Sequence, residues 1–192
     1  MEIKKYSYKK IRDKVKNFVE KECRKKINIY TYDTWNHHIV PVVNFSKTLA
    51  NKLKADKEIV ELSALLHDIG AIKGDPENHH ISGAKEAEKI LKKFNYPEEK
   101  IKQIQYCIYT HRGSKPQKKE TVEAKCVAAA DAMAHFDDLP SIFSLAFSKH
   151  KMSIDDGSTW IKEKIERDWK KMIPEAKELM RDKYKAIKSI LS

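Results

Sequence analysis

The chain has 192 residues, of which 41% are hydrophobic and three are cysteines, and its formal net charge is +11. This length suits one domain with a buried core, and three widely spaced cysteines exclude a disulfide framework or a Cys-x-x-Cys motif. No stretch reaches the roughly 18 apolar residues of a membrane span, and no apolar signal segment follows the first residues. We therefore predict a cytoplasmic protein of one domain, residues 1–192, with no membrane partner; the oligomeric state stays open.

The positive charge is compatible with an anionic partner. However, lysine alternates with glutamate and aspartate along segments such as KLKADKE and KEKIERDWKK, as it does on solvated helix faces. A nucleic-acid groove would instead combine clustered arginine with aromatic side chains. A nucleic-acid partner is therefore compatible with the sequence but not favoured, and solvated helix faces explain the excess of lysine more simply.

Apolar residues recur at helical spacing along the whole chain, and only five glycines and six prolines interrupt them, which predicts an all-α fold. In chain order the predicted helices cover 7–28, 35–54, 56–71, 80–94, 98–112, 121–136, 139–150 and 154–191, the last kinked at Pro174. Asp56 and Ser153 are predicted N-caps, and Pro97 suits the start of the helix that follows it. Residues 73–78 and 113–120 are predicted loops.

The segment AKCVAAADAMAHF, residues 124–136, is apolar or small on every side apart from Lys125, Asp131 and His135. Such a helix is buried all round. An ionised aspartate inside it costs several kcal/mol unless a cation compensates the charge. Asp131 therefore requires a Lys or Arg, a helix end to cap, or a metal ion. His135, one turn later, either orients a ligand or bonds to a carbonyl at the helix end.

Several other histidines occupy positions that belong to the core of their helices. Helical spacing directs His38 rather than His37 inward, and His111 continues an inward stripe of isoleucines. Of the neighbours His79 and His80, spacing favours His80 without deciding the choice. Together with the adjacent His-Asp pair in LLHDIG, these positions form a constellation of imidazoles and carboxylates, the ligands of transition-metal sites.

The ordered pattern of His38, then His67 and Asp68 within LLHDIG, then Asp131 within AAADAMAHF resembles the HD-domain metal-dependent phosphohydrolase superfamily. The similarity spans about residues 30–140. It implies an HD-domain-like helical bundle in which these four residues ligate a divalent metal ion. The Gly-Tyr-Pro motif of the branch that cleaves cyclic dinucleotides is absent, which disfavours that activity.

Some members of this superfamily bind a second metal ion through histidines that lie between the His-Asp pair and the last aspartate. His79 or His80, together with His111, occupies that interval here. The family's usual His-x-x-x-Gly spacing selects His79, four residues before Gly83, whereas helical periodicity favours His80. The first helix and residues 141–192 are outside the resemblance and are interpreted as additional N- and C-terminal helices that pack against the core, the latter as a C-terminal extension.

The resemblance implies hydrolysis of a phosphate ester, such as a nucleotide, by water that the metal activates. His67 and Asp68 would be the catalytic pair, with Asp68 acting as ligand, proton acceptor or both. Lys73, Arg112 and Lys115 flank ligand positions and are predicted to contact the substrate phosphate.

Mixed histidine and aspartate ligation favours Mn, Fe, Co, Ni or Zn over Mg alone, with one or two ions bound. The alternative function is a metal-bearing regulatory or RNA-associated binding module without catalysis. The presence of all four ligand positions favours the enzyme.

Overall fold

The computed structural model describes residues 7–113 and 117–191, in which every regular element is helical, as predicted. The α-helices are α1 (Tyr8–Cys23), α2 (Val40–Leu53), α3 (Lys57–Leu66), α4 (Ile69–Ile72), α5 (His79–Lys93), α6 (Glu98–Thr110), α7 (Val122–Asp137), α8 (Leu139–Phe143), α9 (Ile154–Lys171) and α10 (Pro174–Ile190). A π-helical turn, Trp35–Ile39, leads into α2, and a second, Ser144–Lys149, follows α8. None of the helices in this part of the chain combines the length and apolar character that crossing a bilayer requires.

Helix α7 lies at the centre of the bundle and packs against α2, α3, α6, α9 and α10. All residues from Ala124 to Phe136 are buried except Lys125 and His135, which confirms the prediction of a helix enclosed on every side. Its six alanines within this stretch leave room for the neighbouring helices to approach closely. Any polar group on α7 therefore has to find its partners inside the bundle.

The predicted helix starts are confirmed. The Asp56 carboxylate accepts hydrogen bonds from the backbone N–H groups of Glu58 and Ile59 at the start of α3. The Ser153 hydroxyl accepts one from the N–H of Asp156 at the start of α9. Pro97 directly precedes α6. These caps satisfy donors that the first turn of a helix leaves without partners.

Three predicted helices are shorter or interrupted in the structure. The first helix ends at Cys23 rather than at residue 28. The side-chain amide of Asn28 donates a hydrogen bond to the backbone carbonyl of Cys23. The predicted helix 154–191 divides completely, because Met172 and Ile173 are extended and α10 begins with a proline. The predicted helix 56–71 is interrupted at residues 67–68, between α3 and α4.

Helices α4 and α5 approach so closely that Gly70 has no space for a side chain. A Cβ atom there would lie 2.5 Å from the Ser82 hydroxyl oxygen, 2.7 Å from the His79 carbonyl oxygen and 2.8 Å from the backbone nitrogen of Gly83. A Cβ on Gly83 would meet its neighbours at 3.4 Å or more, which is ordinary contact. The glycine of LLHDIG is therefore required by helix packing.

We expect Gly70→Ala to lower the free energy of unfolding by about 1–3 kcal/mol, because the added methyl group pushes against backbone atoms of α5. Gly83→Ala is the matched control on the same interface. It should change stability by less than about 1 kcal/mol, since ordinary contacts and a better helix propensity offset each other. Urea unfolding followed by circular dichroism measures both. Equal stability of the two variants would contradict this account of the α4–α5 contact.

Candidate metal centre

Four side chains from separate parts of the chain converge next to α7. The Nε2 atom of His38 lies 3.1 Å from His67 Nε2, 3.3 Å from Asp68 Oδ2 and 3.4 Å from Asp131 Oδ1. His67 Nε2 lies 3.5 Å from Asp68 Oδ2 and 3.9 Å from Asp131 Oδ1. We call these four atoms the four-donor group. They belong to the four residues that the sequence predicts as metal ligands.

The other oxygen of Asp68 faces a second group of donors. Asp68 Oδ1 lies 3.5 Å from His79 Nε2 and 3.7 Å from His111 Nε2, and the two imidazole nitrogens are 3.3 Å apart. We call these three atoms the three-donor group. The Asp68 carboxylate is therefore shared between the two groups, one oxygen to each.

The structure places His79, and not His80, in this cluster. His79 is the first residue of α5, and its ring reaches Asp68 and His111. His80 is buried as the periodicity predicts, but its ring packs near that of Tyr109, with the centroids 5.8 Å apart. Periodicity therefore identified the more buried histidine of the pair, whereas the cluster uses its neighbour at the start of the helix.

The histidine rings are held in the orientation that a metal ligand requires. The Nδ1 atoms of His67, His79 and His111 each donate a hydrogen bond to the carbonyl three residues earlier, at 2.8, 2.7 and 2.5 Å. A ring that donates through Nδ1 and is otherwise neutral presents the lone pair of Nε2. The three Nε2 lone pairs therefore point into the donor groups.

Two irregularities in the helices bring these donors together. His38 lies in the π-helical turn, where the N–H of Val40 bonds to the Trp35 carbonyl five residues back, and Pro41 has no N–H to continue the ladder. Between α3 and α4 the backbone leaves the helical conformation at Asp68, with φ −103° and ψ 11°. Adjacent side chains of an unbroken helix point about 100° apart, so this break lets His67 and Asp68 meet.

Burial and neighbouring charges set the protonation of the cluster. Burial lowers the pKa of His67 to about 4, which keeps its ring neutral. Burial also opposes ionisation of Asp68 and Asp131, but the surrounding histidines outweigh it for Asp68, and Lys171 with His135 and His38 outweighs it for Asp131. Both carboxyl pKa values therefore lie well below the usual range. Burial opposes protonation of His38, but the Asp68 and Asp131 carboxylates outweigh it and raise the pKa of that ring. A metal ion therefore competes with a proton at His38, whereas His67 is already neutral.

The separations of most donor atoms suit a divalent transition-metal ion. Donors about 2.1 Å from a common ion lie about 3.0 Å apart at right angles and about 3.4 Å apart in a tetrahedron. Separations of 3.1–3.5 Å join His38 to the other members of the four-donor group and His67 to Asp68. The three-donor group has comparable separations, 3.3–3.7 Å. Asp131 is 3.9 Å from His67 and falls in a candidate ligand set with His38 and His135, whereas His67 and Asp68 form such a set with His38.

Helix α9 contributes charged side chains to this centre that the sequence analysis did not identify. The buried ammonium group of Lys171 contacts Asp131 Oδ2. Asp168 Oδ2 lies 2.9 Å from His135 Nδ1 and 3.2 Å from the Lys164 ammonium. His135 thus has a carboxylate partner, consistent with the expectation that it orients neighbouring groups. Apart from its helical register, α9 carries no sequence pattern that marks these lysines among many others.

Lys73 and Arg112, two of the residues predicted to contact the substrate phosphate, bond to groups outside the two donor groups. The exposed Lys73 pairs with Glu86 of α5. Arg112 follows His111 directly, and its guanidinium donates to the backbone carbonyl of Glu77. Lys115 lies outside the described residues. The ammonium group of Lys73 already has a carboxylate partner on another helix, which argues against the expected contact of Lys73 with the substrate phosphate.

Solved structures share this fold across nearly the whole chain. The crystal structure of Bacillus subtilis YpgQ matches with a TM-score of 0.73 and 19% identity over 96% of this chain and 93% of that one. YpgQ in complex with ADP matches with a TM-score of 0.69 and 22% identity, covering 93% of each chain. An HD-superfamily hydrolase from Bacillus thuringiensis matches with a TM-score of 0.72 and 18% identity over 96% of this chain and 95% of that one.

A tRNA (cytidine(56)-2′-O)-methyltransferase from Picrophilus torridus is 27% identical in an alignment of 135 residues that covers 65% of this chain. The matched stretch covers only 38% of that relative's length. The model of the HD domain family matches residues 36–135, a stretch that contains all four residues of the four-donor group as well as His79 and His111. Because this match includes more than half of the sequence as well as the converging ligands, the chain belongs to the HD domain family.

Proposed function

We propose that this protein is a metal-dependent phosphohydrolase that acts on a small phosphorylated compound, most simply a nucleotide. The observation that carries the proposal is the Asp68 carboxylate, which offers one oxygen to the four-donor group and the other to the three-donor group. A carboxylate in this position connects a metal site with a place for water or a second ion. The complex of YpgQ with ADP supports a nucleotide as ligand of a bundle of this shape.

A divalent ion in the four-donor group supplies Lewis acidity, which lowers the pKa of a water molecule and offsets charge on the phosphoryl group. Mn, Fe, Co, Ni or Zn suits these ligands better than Mg alone. These four residues would hold the ion without filling the coordination sphere of an octahedral metal, so that water and a phosphoryl oxygen could also bind. A purely structural metal site is expected to close its coordination sphere with protein ligands, so the open arrangement favours catalysis.

In this mechanism His38, His67 and Asp131 hold the ion, and Asp68 completes the set through Oδ2. Asp68 Oδ1 accepts the proton of the attacking water and has the Nε2 atoms of His79 and His111 within 3.7 Å to receive it. The water oxygen forms the new P–O bond, the ester P–O bond breaks, and the leaving oxygen takes a proton. With a second ion bound, the three-donor group instead holds that ion.

We expect His67→Ala and Asp68→Ala each to reduce phosphate release by at least about a thousandfold, because each removes a ligand of an ion that activates water and offsets charge. His79→Ala should cost about tenfold to a hundredfold, as it removes one member of the three-donor group. The assay is phosphate release from nucleoside mono-, di- and triphosphates and an aryl phosphate, with Mn, Co, Ni, Zn or Mg supplied singly.

His37→Ala is the matched control for that experiment. His37 adjoins His38, but its exposed ring pairs with Asp138 at 2.7 Å instead of entering the cluster. Its activity should remain within about twofold of the wild type, since a half-exposed ion pair contributes little. Full activity in a folded His67→Ala protein would refute the mechanism. No hydrolysis of any phosphate ester with any metal by the wild-type protein would reject the proposed function.

Metal binding should also stabilise the fold, because an ion that binds only the folded state raises its stability. Added Mn²⁺ at about a hundred times its Kd should raise the free energy of unfolding by about 2.7 kcal/mol. Asp131→Ala should lose most of this increase. This variant also leaves Lys171 without its carboxylate partner, so the diagnostic quantity is the gain on adding metal and not the absolute melting temperature. An identical gain in wild type and variant would exclude Asp131 as a ligand.

An RNA-associated binding module is the second candidate, and one feature of the charge distribution favours it. Residues 8–26, which comprise α1 and the three residues after it, contain nine Lys or Arg against three Asp or Glu, a net charge of +6 of the total +11. This segment precedes the part of the chain that matches the HD domain model. The similarity to a tRNA methyltransferase supports a tRNA-related partner.

The two functions differ in the salt dependence of RNA binding. If the basic residues serve only solubility, fluorescence anisotropy with labelled tRNA should detect binding at 50 mM salt that disappears at 150 mM, because counterion release drives it. Submicromolar binding at 150 mM salt would favour the module. In that case Lys9→Glu/Lys16→Glu should weaken binding far more than the control Lys125→Glu/Lys185→Glu, which reverses the same number of exposed charges outside α1.

A further inference from the structure

Helix α9 forms one wall of the metal centre although it lies outside residues 36–135, the part that matches the HD domain model. The helix packs against α7 and presents Lys164, Asp168 and Lys171 to the cluster. A mere packing element would bury apolar side chains there. The charged residues of α9 therefore call for an explanation that the ligand set alone does not supply.

Lys171 is the most enclosed of these cations. Its side chain is only 4% exposed, and its ammonium group contacts Asp131 Oδ2, whereas Asp131 Oδ1 is the oxygen that faces His38 and His67. Lys171 therefore leaves the ligating oxygen free. A Cβ on Gly113 would lie 2.8 Å from Lys171 Cδ, so the lysine stem runs directly against the loop after α6.

The charges of the centre leave an excess of positive charge once a metal ion is bound. Three carboxylates (Asp68, Asp131 and Asp168) meet two ammonium groups (Lys164 and Lys171), and histidines that ligate a metal ion are neutral. One divalent ion would change a net charge of about −1 into about +1, and a second ion would change it to about +3. The metal-loaded centre therefore favours an anionic ligand, and a phosphate group with two negative charges reduces the excess.

A second lysine lies on the same side as Lys171. Lys119 is half-buried, and burial together with the nearby charge of Lys171 lowers its pKa, while Asp131 acts in the opposite direction. An anion near both ammonium groups would reduce their mutual repulsion. Lysine has three protons to donate, so Lys171 can keep its bond to Asp131 while it donates to a ligand.

We propose that Lys171, together with Lys119, binds phosphoryl oxygens of the substrate on the α9 side of the metal centre. This inference rests on the proposed phosphohydrolase function and names a phosphate subsite for it. The competing role for Lys171 is that of a counter-ion of Asp131 alone, without contact to the ligand. The two roles differ in one measurable quantity, the affinity of the metal-loaded protein for inorganic phosphate.

The test uses isothermal titration calorimetry with full-length protein, first with Mn²⁺ and then with inorganic phosphate added to the Mn²⁺-loaded form. Lys171→Met keeps the length of the stem and removes the charge, and the loaded form is chosen because the ion compensates Asp131 in the absence of Lys171. The phosphate Kd should rise by about tenfold to a hundredfold, the range for a lost charge-assisted hydrogen bond. The Mn²⁺ Kd should stay within threefold of wild type or decrease.

Two further variants complete the design. Lys170→Met, at the exposed neighbouring position, should leave both dissociation constants within twofold of wild type. Lys119→Met should weaken phosphate binding severalfold, and it decides the question if Lys171→Met does not fold. A phosphate Kd within twofold of wild type in folded Lys171→Met, or in Lys119→Met when the former is unfolded, overturns the proposal.

The outcome is separable from that of the proposed function. Phosphate binding that depends on Lys171, in a protein that hydrolyses no phosphate ester, supports the subsite and rejects catalysis. Hydrolysis with an unchanged kcat/KM in Lys171→Met supports catalysis and rejects the subsite. A wild-type protein that binds none of the divalent metals supplied in the hydrolysis assay overturns both.

Discussion

The burial of ionised carboxylates inside an apolar helix bundle is the constraint on which this structure depends. Asp131 lies on a helix that is enclosed on every side, and Asp68 lies at an interrupted helix beside it. Desolvation alone would favour their neutral forms, yet histidines and Lys171 keep both ionised. Buried charged clusters are poor sources of stability, because well-packed apolar residues often serve as well or better. Their retention at the centre therefore indicates binding and not folding as their purpose.

The donors meet because the backbone is irregular where they lie. His67 and Asp68 are neighbours in the sequence, and on an unbroken helix their side chains would diverge by about 100°. The break between α3 and α4 turns both toward one point, and Gly70 then lets α4 pack against α5, whose first residue is His79. The π-helical turn does the same for His38. Each ligand is thus placed by a local departure from regular helix that its neighbours stabilise.

The all-helical class and the enclosed α7 could be predicted from the sequence, because both depend on periodicity, whereas the set of four candidate ligands came from the resemblance to the HD-domain superfamily. The break at Asp68 could not be predicted, since LLHDIG has the apolar spacing of one continuous helix. Choosing between His79 and His80 also needed the structure. Periodicity measures how deeply a residue is buried, and His80 is buried, but it does not tell which buried side of α5 faces Asp68.

Lys171 illustrates a further limit, because 40 residues separate it from Asp131 and it is one of 39 Lys and Arg. The requirement for a cation beside Asp131 was predictable, but its source was not. Lys171 contacts Oδ2 of Asp131, whereas Oδ1 faces the expected metal-binding residues such as His38. The ligands lie within the part that matches the family model, while Lys171 lies outside it. If the centre binds a metal ion, substitutions on α9 could change which further ligand it accepts without replacing any of the four candidate metal ligands.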